Sequence, residues 1–346
     1  MNPQTSLGEE CVRCDFPTEG RLLPLRIRPS WTSLAREPAA FLDWYRARVP
    51  LIESLIADFG AVLFRGFALS DTPDFQRIAG LYQPHAAGYI GGATPRKVID
   101  GQVYESTRMP APFKIGLHQE KAYMAHYPRL LAFYCKHAAE AGGETPLCDM
   151  REVTRKLDAR VVERFRAKGV MYRRNFFGPK DREASPAAAP SREYHRPWSD
   201  AFSTDDPARV EEACRERGLS FEWLRDGSVT VSHVGGAMVR HRRTGTQVWF
   251  NQAAAQHVNP RAVGDFSFRY LQRKYQERAA FPYDVRFGDG EPMSMEDLAP
   301  VYDAMDAHET AFAWESGDLL LIDNILVAHG RNPFRGKRDV QVAMMD

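Results

Sequence analysis

The sequence predicts a mainly β protein with flanking helices, in a closed or double-sheet arrangement of which the jelly roll is one. The main observation is a series of short runs that are apolar or alternate between apolar and polar residues, separated by turn residues, as is typical of strands. These runs cover 102–107, 113–118, 130–134, 170–174, 229–233, 248–251 and 319–322. The second observation is size, because 346 residues, 44% of them hydrophobic, can bury the core of one elaborated β domain.

Helical patterns flank these strands. Residues 39–59 carry apolar side chains at helical spacing, and Gly60 lies where such a helix would end. The next run, 61–65, is predicted to be a buried strand. Two further helices are expected at 206–217 and 266–279.

Composition predicts the domain organisation. Residues 1–20 are predicted to be a flexible N-terminal arm and residues 21–346 a single domain, with an insertion around 150–245. Within that insertion, residues 181–191 are rich in Ala, Pro and Ser, a composition that buries little surface. We expect a surface loop there, and a lid over a site is the alternative.

Charge narrows the choice of partners. The 46 Lys and Arg residues nearly balance the 45 Asp and Glu residues, so the formal net charge is +1. This balance favours a small-molecule partner over nucleic acid or a membrane surface, and homo-oligomerisation stays open. No stretch approaches the roughly 20 apolar residues of a membrane-spanning helix, and the N-terminus lacks the pattern of a signal peptide. A cytoplasmic location is therefore expected.

The five cysteines are scattered and odd in number, which fits a reducing compartment better than a disulfide framework. Cys11 and Cys14 have the spacing of a zinc or redox pair. Because no second pair accompanies them, we expect them to be ordinary residues of the N-terminal arm.

The first candidate metal ligands are His118 and Glu120, at the end of the run 113–118. Positions two apart on a strand project to the same face, so the imidazole and the carboxylate could bind one ion together. On its own this signal is weak, since such a pair arises by chance about once in a chain of this composition. An exposed strand end is the alternative interpretation.

A second histidine, His329, follows an apolar strand and a turn, and Arg338 lies nine residues later at the head of a final strand, 339–344. Two histidines and one carboxylate, with further positions open, are the ligand set of non-haem iron(II) oxygenases. Arg338 can pair with a carboxylate through two parallel hydrogen bonds while keeping its charge, and we expect it inside the barrel. Its basic neighbours are expected at the surface: Arg331, Arg335 and Lys337.

These residues lie in stretches that resemble the taurine dioxygenase and clavaminate synthase-like iron(II)/2-oxoglutarate oxygenases, in particular the branch that hydroxylates amino acids during natural-product assembly. The similar stretches are DFGAVLFRGF (58–67), 91–110, 117–149, VWFNQ (248–252), 287–293 and 314–344. They span most of the chain from about residue 58 onward, and the last two are specific. The resemblance implies a double-stranded β-helix core of the jelly-roll or cupin-like kind.

Carried over residue by residue, the resemblance implies His118, Glu120 and His329 as ligands of iron(II). It implies Arg338 as the salt-bridge partner of 2-oxoglutarate and Thr145 as a hydroxyl donor to the same carboxylate, although Thr145 could equally be a turn residue after a glycine pair. The activity implied is hydroxylation of an unactivated C–H bond, with oxygen and 2-oxoglutarate as cosubstrates. The implied substrate is a small amino-acid-like molecule, free or bound to a carrier protein.

Polar residues beside buried aromatic ones are the candidates for the substrate pocket. They are Glu105, Ser106, Thr107, Arg174, Asn175, Asn251 and Gln252. The alternative for each is that it satisfies backbone groups at a strand end.

Three other activities stay open on sequence grounds. The same chemistry could give desaturation or cyclisation. A non-catalytic jelly-roll protein could retain the site to bind a metal or a small acid. A zinc hydrolase could use the same ligands but would offer no role for Arg338.

Overall fold

The computed structural model describes residues 3, 7–8, 10–85, 98–107, 109–178, 196–275 and 280–346. Within them, the largest sheet has eight strands in the order β1 (Val12–Asp15), β2 (Leu25–Pro29), β3 (Ala61–Phe64), β17 (Leu319–Asp323), β7 (Leu130–His137), β20 (Asp339–Met345), β5 (Val103–Glu105) and β4 (Val98–Asp100). Its neighbouring strands are antiparallel except β2 and β3, which are parallel.

A four-stranded sheet faces this large sheet. Its order is β16 (Glu309–Thr310), β9 (Leu147–Asp149), β18 (Val327–Arg331) and β6 (Ile115–His118). One hydrophobic cluster contains Leu131, Leu320 and Val342 from the large sheet together with Leu147 and Val327 from the smaller one. The two sheets therefore enclose a common core, and the predicted mainly β fold with a jelly-roll core is confirmed.

The remaining strands form a second four-stranded sheet and two short pairs. The sheet has the order β11 (Ser220–Trp223), β12 (Val229–Gly235), β10 (Val170–Phe176) and β15 (Tyr283–Phe287). The pairs are β13 (Met238–Arg240) with β14 (Gln247–Trp249), and β8 (Ala141–Gly142) with β19 (Phe334–Arg335). The second sheet lies largely within the insertion predicted around 150–245, and the division of the chain into arm, domain and insertion stays a prediction.

The described helices are α1 (Thr32–Arg36), α2 (Pro38–Arg46), α3 (Val49–Phe59), α4 (Thr72–Ala79), α5 (Met150–Lys156), α6 (Ala159–Lys168), α7 (Trp198–Phe202), α8 (Pro207–Glu216), α9 (Ala253–Gln256), α10 (Pro260–Val263), α11 (Asp265–Lys274) and α12 (Met295–His308). No helix in this part of the chain is long and apolar enough to span a membrane.

Helices α1 to α4 cover the outer face of the large sheet. Both faces of β17 are buried, and successive side chains of a strand point to opposite faces. Leu320 packs in the core between the sheets, whereas Leu319 and Leu321 pack against the helices. The helix side of that second cluster contains Tyr45 and Ile52, both fully buried. A continuously apolar strand is the expected sequence pattern for this central position.

The helix predicted at 39–59 is interrupted, which corrects that expectation. The structure has two helices, α2 and α3, and Pro50 lies in the first turn of the second one. Proline has no backbone N–H, and its ring clashes with the carbonyl four residues earlier, so a helix that runs through it is broken. The helices expected at 206–217 and 266–279 correspond to α8 and α11, and residues 276–279 lie outside the described part.

The N-terminal arm also differs from the prediction where it is described. Val12–Asp15 form the edge strand β1, paired antiparallel with β2, and Val12 is fully buried. The backbone pairing with β2 and the buried Val12 side chain attach Val12–Asp15 to the large sheet, although a flexible arm was predicted for residues 1–20. Burial raises the pKa of the Cys14 thiol to about 11, which disfavours the thiolate that a zinc or redox site requires. The insertion 181–191 lies outside the described residues.

Gly60 ends α3 at the predicted place, with φ +83° and its N–H donated to the Ile56 carbonyl at 2.7 Å. An added Cβ would lie 2.6 Å from Val327 Cγ2, on the strand that carries His329. We therefore predict that Gly60→Ala lowers the free energy of unfolding by about 2–4 kcal/mol, through backbone strain and overpacking together. Urea denaturation measures the change.

Gly245→Ala is the matched control, because Gly245 has φ +69° but no atom within 4 Å of an added Cβ. Backbone strain alone should cost about 1–2 kcal/mol there. Equal losses in the two variants would contradict the close approach to Val327.

Candidate active site

The three residues predicted as metal ligands come together at one end of the smaller sheet. His118 on β6 and His329 on β18 are direct cross-strand partners, and their ring centroids are 4.5 Å apart. Cross-strand partners project to the same face, so the pairing itself brings the imidazoles together. Glu120 lies two residues after His118, and its Oε2 is 3.9 Å from His118 Nε2. One potential ligand atom from each residue lies within 4.8 Å of the other two.

The strand β18 is irregular where it leaves this cluster. The register shifts between His329 and Arg331, which are paired with His118 and Ile115 respectively. Gly330 occupies the irregularity, and a Cβ at this position would lie 2.5 Å from the Ile115 carbonyl oxygen. Only glycine permits that approach of the two backbones. Such bulges commonly redirect a side chain beside an active site.

The donor set fits a divalent transition metal. His118 Nδ1 lies 2.9 Å from the Gly116 carbonyl oxygen, which can only accept a hydrogen bond, so this nitrogen carries the proton. The Nε2 lone pair is then available on the side of Glu120 and His329. His329 is buried, and its ring packs against Phe133 at 5.2 Å between centroids. Two imidazoles and a carboxylate with open positions suit iron(II).

Asn324, which was not predicted, holds the backbone of Glu120 in place. Its side-chain oxygen accepts a hydrogen bond from Glu120 N–H at 2.7 Å, and its Nδ2 donates to the carbonyl oxygens of Glu120 and Pro128 at 2.9 and 2.8 Å. The residue is fully buried between β17 and β18. Because one side chain satisfies three backbone groups, the loop after β6 is joined to the turn before His329. The only sequence signal for it is its position within the specific stretch 314–344.

A cavity of about 800 Å³ opens from the cluster. Its lining includes His118, Glu120 and His329 together with Thr145 and Arg338, the two residues predicted to bind a cosubstrate. Its volume lies in the range of small-molecule sites.

Arg338 contributes a cation to this cavity. Its Nε donates to the Gly143 carbonyl at 3.0 Å, and in the described part of the chain no carboxylate forms a salt bridge with it. Burial, and secondarily the charge of Arg331, lowers the pKa of its guanidinium to about 10, so it remains protonated at neutral pH. A half-buried guanidinium that forms no salt bridge with a described carboxylate favours an anionic ligand.

Thr145 lies beside Arg338 in the same cavity and is buried. Its Oγ1 accepts a hydrogen bond from Trp314 Nε1 at 3.1 Å. The indole nitrogen is a donor only, so the Thr145 hydroxyl keeps its own proton for another acceptor. Trp314 was not singled out from the sequence, because the sequence does not distinguish a tryptophan that donates a hydrogen bond in a site from one that only packs in the core.

Arg331 corrects a prediction, because it was expected at the surface and is buried. Its guanidinium donates to three backbone carbonyls of the segment before β6, at Met109 (2.6 Å), Pro110 (2.8 Å) and Phe113 (2.6 Å). The carbonyls supply the hydrogen bonds that a buried cation requires, which composition alone does not reveal. Arg335 and Lys337 are exposed, as predicted.

Five of the candidate substrate residues line the cavity: Ser106, Thr107, Arg174, Asn175 and Gln252. Glu105 and Asn251 are absent from its lining. Glu105 belongs to β5 and is a cross-strand partner of Gln341. The side chain of Asn251 binds the Ala237 carbonyl and the Ala253 N–H, each at 2.9 Å, and so satisfies backbone groups.

The chain is similar to a known family of dioxygenases over most of its length. The model of the taurine catabolism dioxygenase TauD, TfdA family matches residues 27–344. The dapdiamide synthesis protein DdaC of Enterobacter agglomerans is 32% identical over 307 residues, which cover 89% of this chain and 88% of DdaC. A clavaminate synthase-like protein of Arabidopsis thaliana is 29% identical over 333 residues, 94% of each chain.

Solved structures share the fold at lower identity. PvcB, an iron and alpha-ketoglutarate dependent oxygenase from an isonitrile synthetic pathway, has a TM-score of 0.52 at 16% identity, covering 96% of this chain and 91% of PvcB. A taurine dioxygenase from Burkholderia xenovorans has a TM-score of 0.50 at 13% identity, covering 97% and 89%. At these identities the likeness shows the fold alone.

The cluster predicts binding of a divalent ion that depends on His329. Loss of a residue that merely supports a metal ligand costs about 10- to 100-fold in affinity, so His329→Ala should weaken Mn(II) or Co(II) binding at least that much. Equilibrium dialysis, with metal analysis of the retained protein, measures the affinity. His137→Ala is the control, because His137 is exposed and outside the cluster. Equal affinity in both variants would show that the ion binds elsewhere.

Proposed function

The chain belongs to the taurine catabolism dioxygenase (TauD, TfdA) family, and we propose that it hydroxylates an unactivated C–H bond of an amino acid or amino-acid-derived substrate. As a member of this family it is a 2-oxoglutarate-dependent dioxygenase, with iron(II) as cofactor and 2-oxoglutarate and oxygen as cosubstrates. The observation that carries the proposal is that two histidines, one glutamate and an arginine without a carboxylate partner among the described residues line one cavity.

His118, Glu120 and His329 would hold the iron, which when bound supplies the activation of oxygen for C–H oxidation. The proton on His118 Nδ1 is held by the Gly116 carbonyl, which keeps the ring oriented with Nε2 toward the ion. Asn324 fixes the backbone on either side of the Glu120 carboxylate. These contacts hold the ligands in place before the metal binds, which reduces the conformational entropy lost on binding.

Arg338 and Thr145 would bind the distal carboxylate of 2-oxoglutarate. The guanidinium provides charge and paired N–H donors, and the Thr145 hydroxyl adds a third donor because Trp314 already occupies its oxygen. The cavity between these residues and the ligand cluster also has an apolar wall that includes Phe133 and Val340. An apolar wall limits water near the reacting carbon, which favours attack on the substrate over side reactions.

The similarity to DdaC, a dapdiamide synthesis protein, supports a role in natural-product biosynthesis. The proposal covers a free substrate and one bound to a carrier protein. Both forms therefore belong in the assay. Desaturation or cyclisation from the same site would be distinguished by the mass of the product, which gains no oxygen in those reactions.

The direct test is a screen of amino acids, free and thioester-linked, with iron(II), 2-oxoglutarate and oxygen. We expect succinate to form only when all three are present, a substrate to gain one oxygen atom by mass spectrometry, and the anaerobic complex to show a visible charge-transfer band. His329→Ala should abolish turnover, whereas His137→Ala should retain it. Full turnover by His329→Ala, or no charge-transfer band in the wild type, would refute the proposal.

The contact between Trp314 and Thr145 predicts a specific effect on the cosubstrate. Trp314→Phe removes the donor that orients the hydroxyl, so the KM for 2-oxoglutarate should rise about 2- to 10-fold, the effect of one hydrogen bond. Thr145→Val should raise it further, since the donor to the carboxylate is then lost. Initial rates at varied 2-oxoglutarate concentration measure both.

A double variant separates orientation from packing. If Trp314 acts through Thr145, adding Trp314→Phe to Thr145→Val should raise the KM no further. Additive effects would show instead that the tryptophan acts only by filling space.

A further inference from the structure

Arg174 is a second guanidinium that lines the cavity without a carboxylate partner in the described part of the chain. It lies on β10, in the sheet outside the jelly-roll core. Its Cζ is 4.6 Å from the centroid of the Tyr123 ring, and its Nη2 donates a long hydrogen bond of 3.4 Å to Gln256 Oε1. These contacts orient the group, and neither of them supplies a negative charge.

Four other cations of the cavity have partners or an assigned role. Arg331 binds three backbone carbonyls, and Arg261 forms salt bridges with Asp303 at 2.7 Å and Asp306 at 2.6 Å. Lys114 pairs with Glu309 at 3.4 Å, and Arg338 is assigned to the cosubstrate. Among the described lining residues this leaves Arg174 and Arg196, and the charge of Asp200 acts on Arg196, so Arg174 is the better candidate for an anionic group of the substrate.

Arg196 lines the same cavity as Arg174. Its pKa is lowered first by burial and then by the charge of Arg174, whereas Asp200 opposes the shift. The charge of Arg174 therefore acts on a second side chain of the cavity, in addition to the contacts described above.

A chain of hydrogen bonds connects Arg174 to the metal-binding loop. Arg174 donates to Gln256, Gln256 Nε2 donates to Gln252 Oε1 at 2.6 Å, and Gln252 Nε2 donates to the carbonyl of Gln119 at 2.5 Å. Gln119 lies between the proposed ligands His118 and Glu120. Tyr123, stacked on the guanidinium, follows on the same loop. An anion bound by Arg174 is thereby held at a defined position relative to the ligand cluster.

We propose that Arg174 binds a free carboxylate of the substrate, and that this enzyme selects acids over the corresponding neutral amides. The planar fork of a guanidinium matches a carboxylate through two parallel hydrogen bonds, and an uncharged carboxamide cannot replace that pairing. The inference rests on the proposed function, because it names the substrate class of the same cavity. It places a determinant of specificity on β10, in a sheet outside the jelly-roll core.

The test uses the full chain loaded with iron(II) and 2-oxoglutarate under anaerobic conditions, titrated with the proteinogenic amino acids and with their C-terminal primary amides. A rise in the melting temperature of the protein identifies the compounds that bind, and calorimetry gives their dissociation constants. We expect at least one free acid to bind and its amide to bind at least 10-fold more weakly. Arg174→Gln should weaken binding of that acid by about 10- to 100-fold, and Arg174→Lys by less, since the charge remains.

Arg173→Gln is the matched control, because Arg173 is next on β10 but does not line the cavity, and it should bind the acid as the wild type does. If no free acid binds, if acid and amide bind equally, or if Arg174→Gln binds as the wild type does, the proposal is wrong. If Arg174→Gln fails to fold, Arg174→Lys and the acid-to-amide comparison decide. The charge-transfer band separates the two proposals, since its absence refutes the proposed function, whereas its presence without acid binding refutes only this inference.

Discussion

The site depends on the register between β6 and β18. His118 and His329 are cross-strand partners, so their imidazoles meet only because these two strands pair as they do. A slip of one residue would turn one imidazole to the opposite face of the sheet, since side chains alternate along a strand. The candidate active site is therefore a consequence of strand pairing, and whatever stabilises that pairing also stabilises the site.

Several buried contacts hold this register from the side of β17. Asp323 accepts hydrogen bonds from the N–H groups of Ile325 and Leu326, at 2.9 and 3.0 Å, and pairs with His241 at 2.8 Å. The next residue, Asn324, binds the backbone of Glu120. The turn between the strands is thus joined both to the loop that carries the acidic ligand and to the β13–β14 pair. Buried polar groups of this kind specify one arrangement, because any other would leave them without partners.

The distribution of guanidinium groups gives the cavity its chemical character. Arg331 is satisfied by backbone carbonyls and shapes the wall, Arg338 faces the cavity from the head of β20, and Arg174 faces it from β10. All three look alike in the sequence. Their different environments make one a structural group, whereas the other two have no salt-bridge partner among the described residues, which is the basis of the proposed binding of a dicarboxylate cosubstrate and an acidic substrate.

The sequence by itself determined the mainly β fold, the positions of nine of the twenty described strands, the end of α3 at Gly60 and the residue types of a candidate non-haem iron site, because apolar periodicity and short motifs are local properties of the chain. The apolar spacing at 39–59 predicted one helix, but Pro50 disfavours a continuous helix, so the segment forms two helices. Tertiary structure alone decided that His329 meets His118, that Arg331 is buried and that Asn251 turns away from the cavity. These outcomes depend on pairings between residues far apart in the chain, whose geometry no local pattern contains.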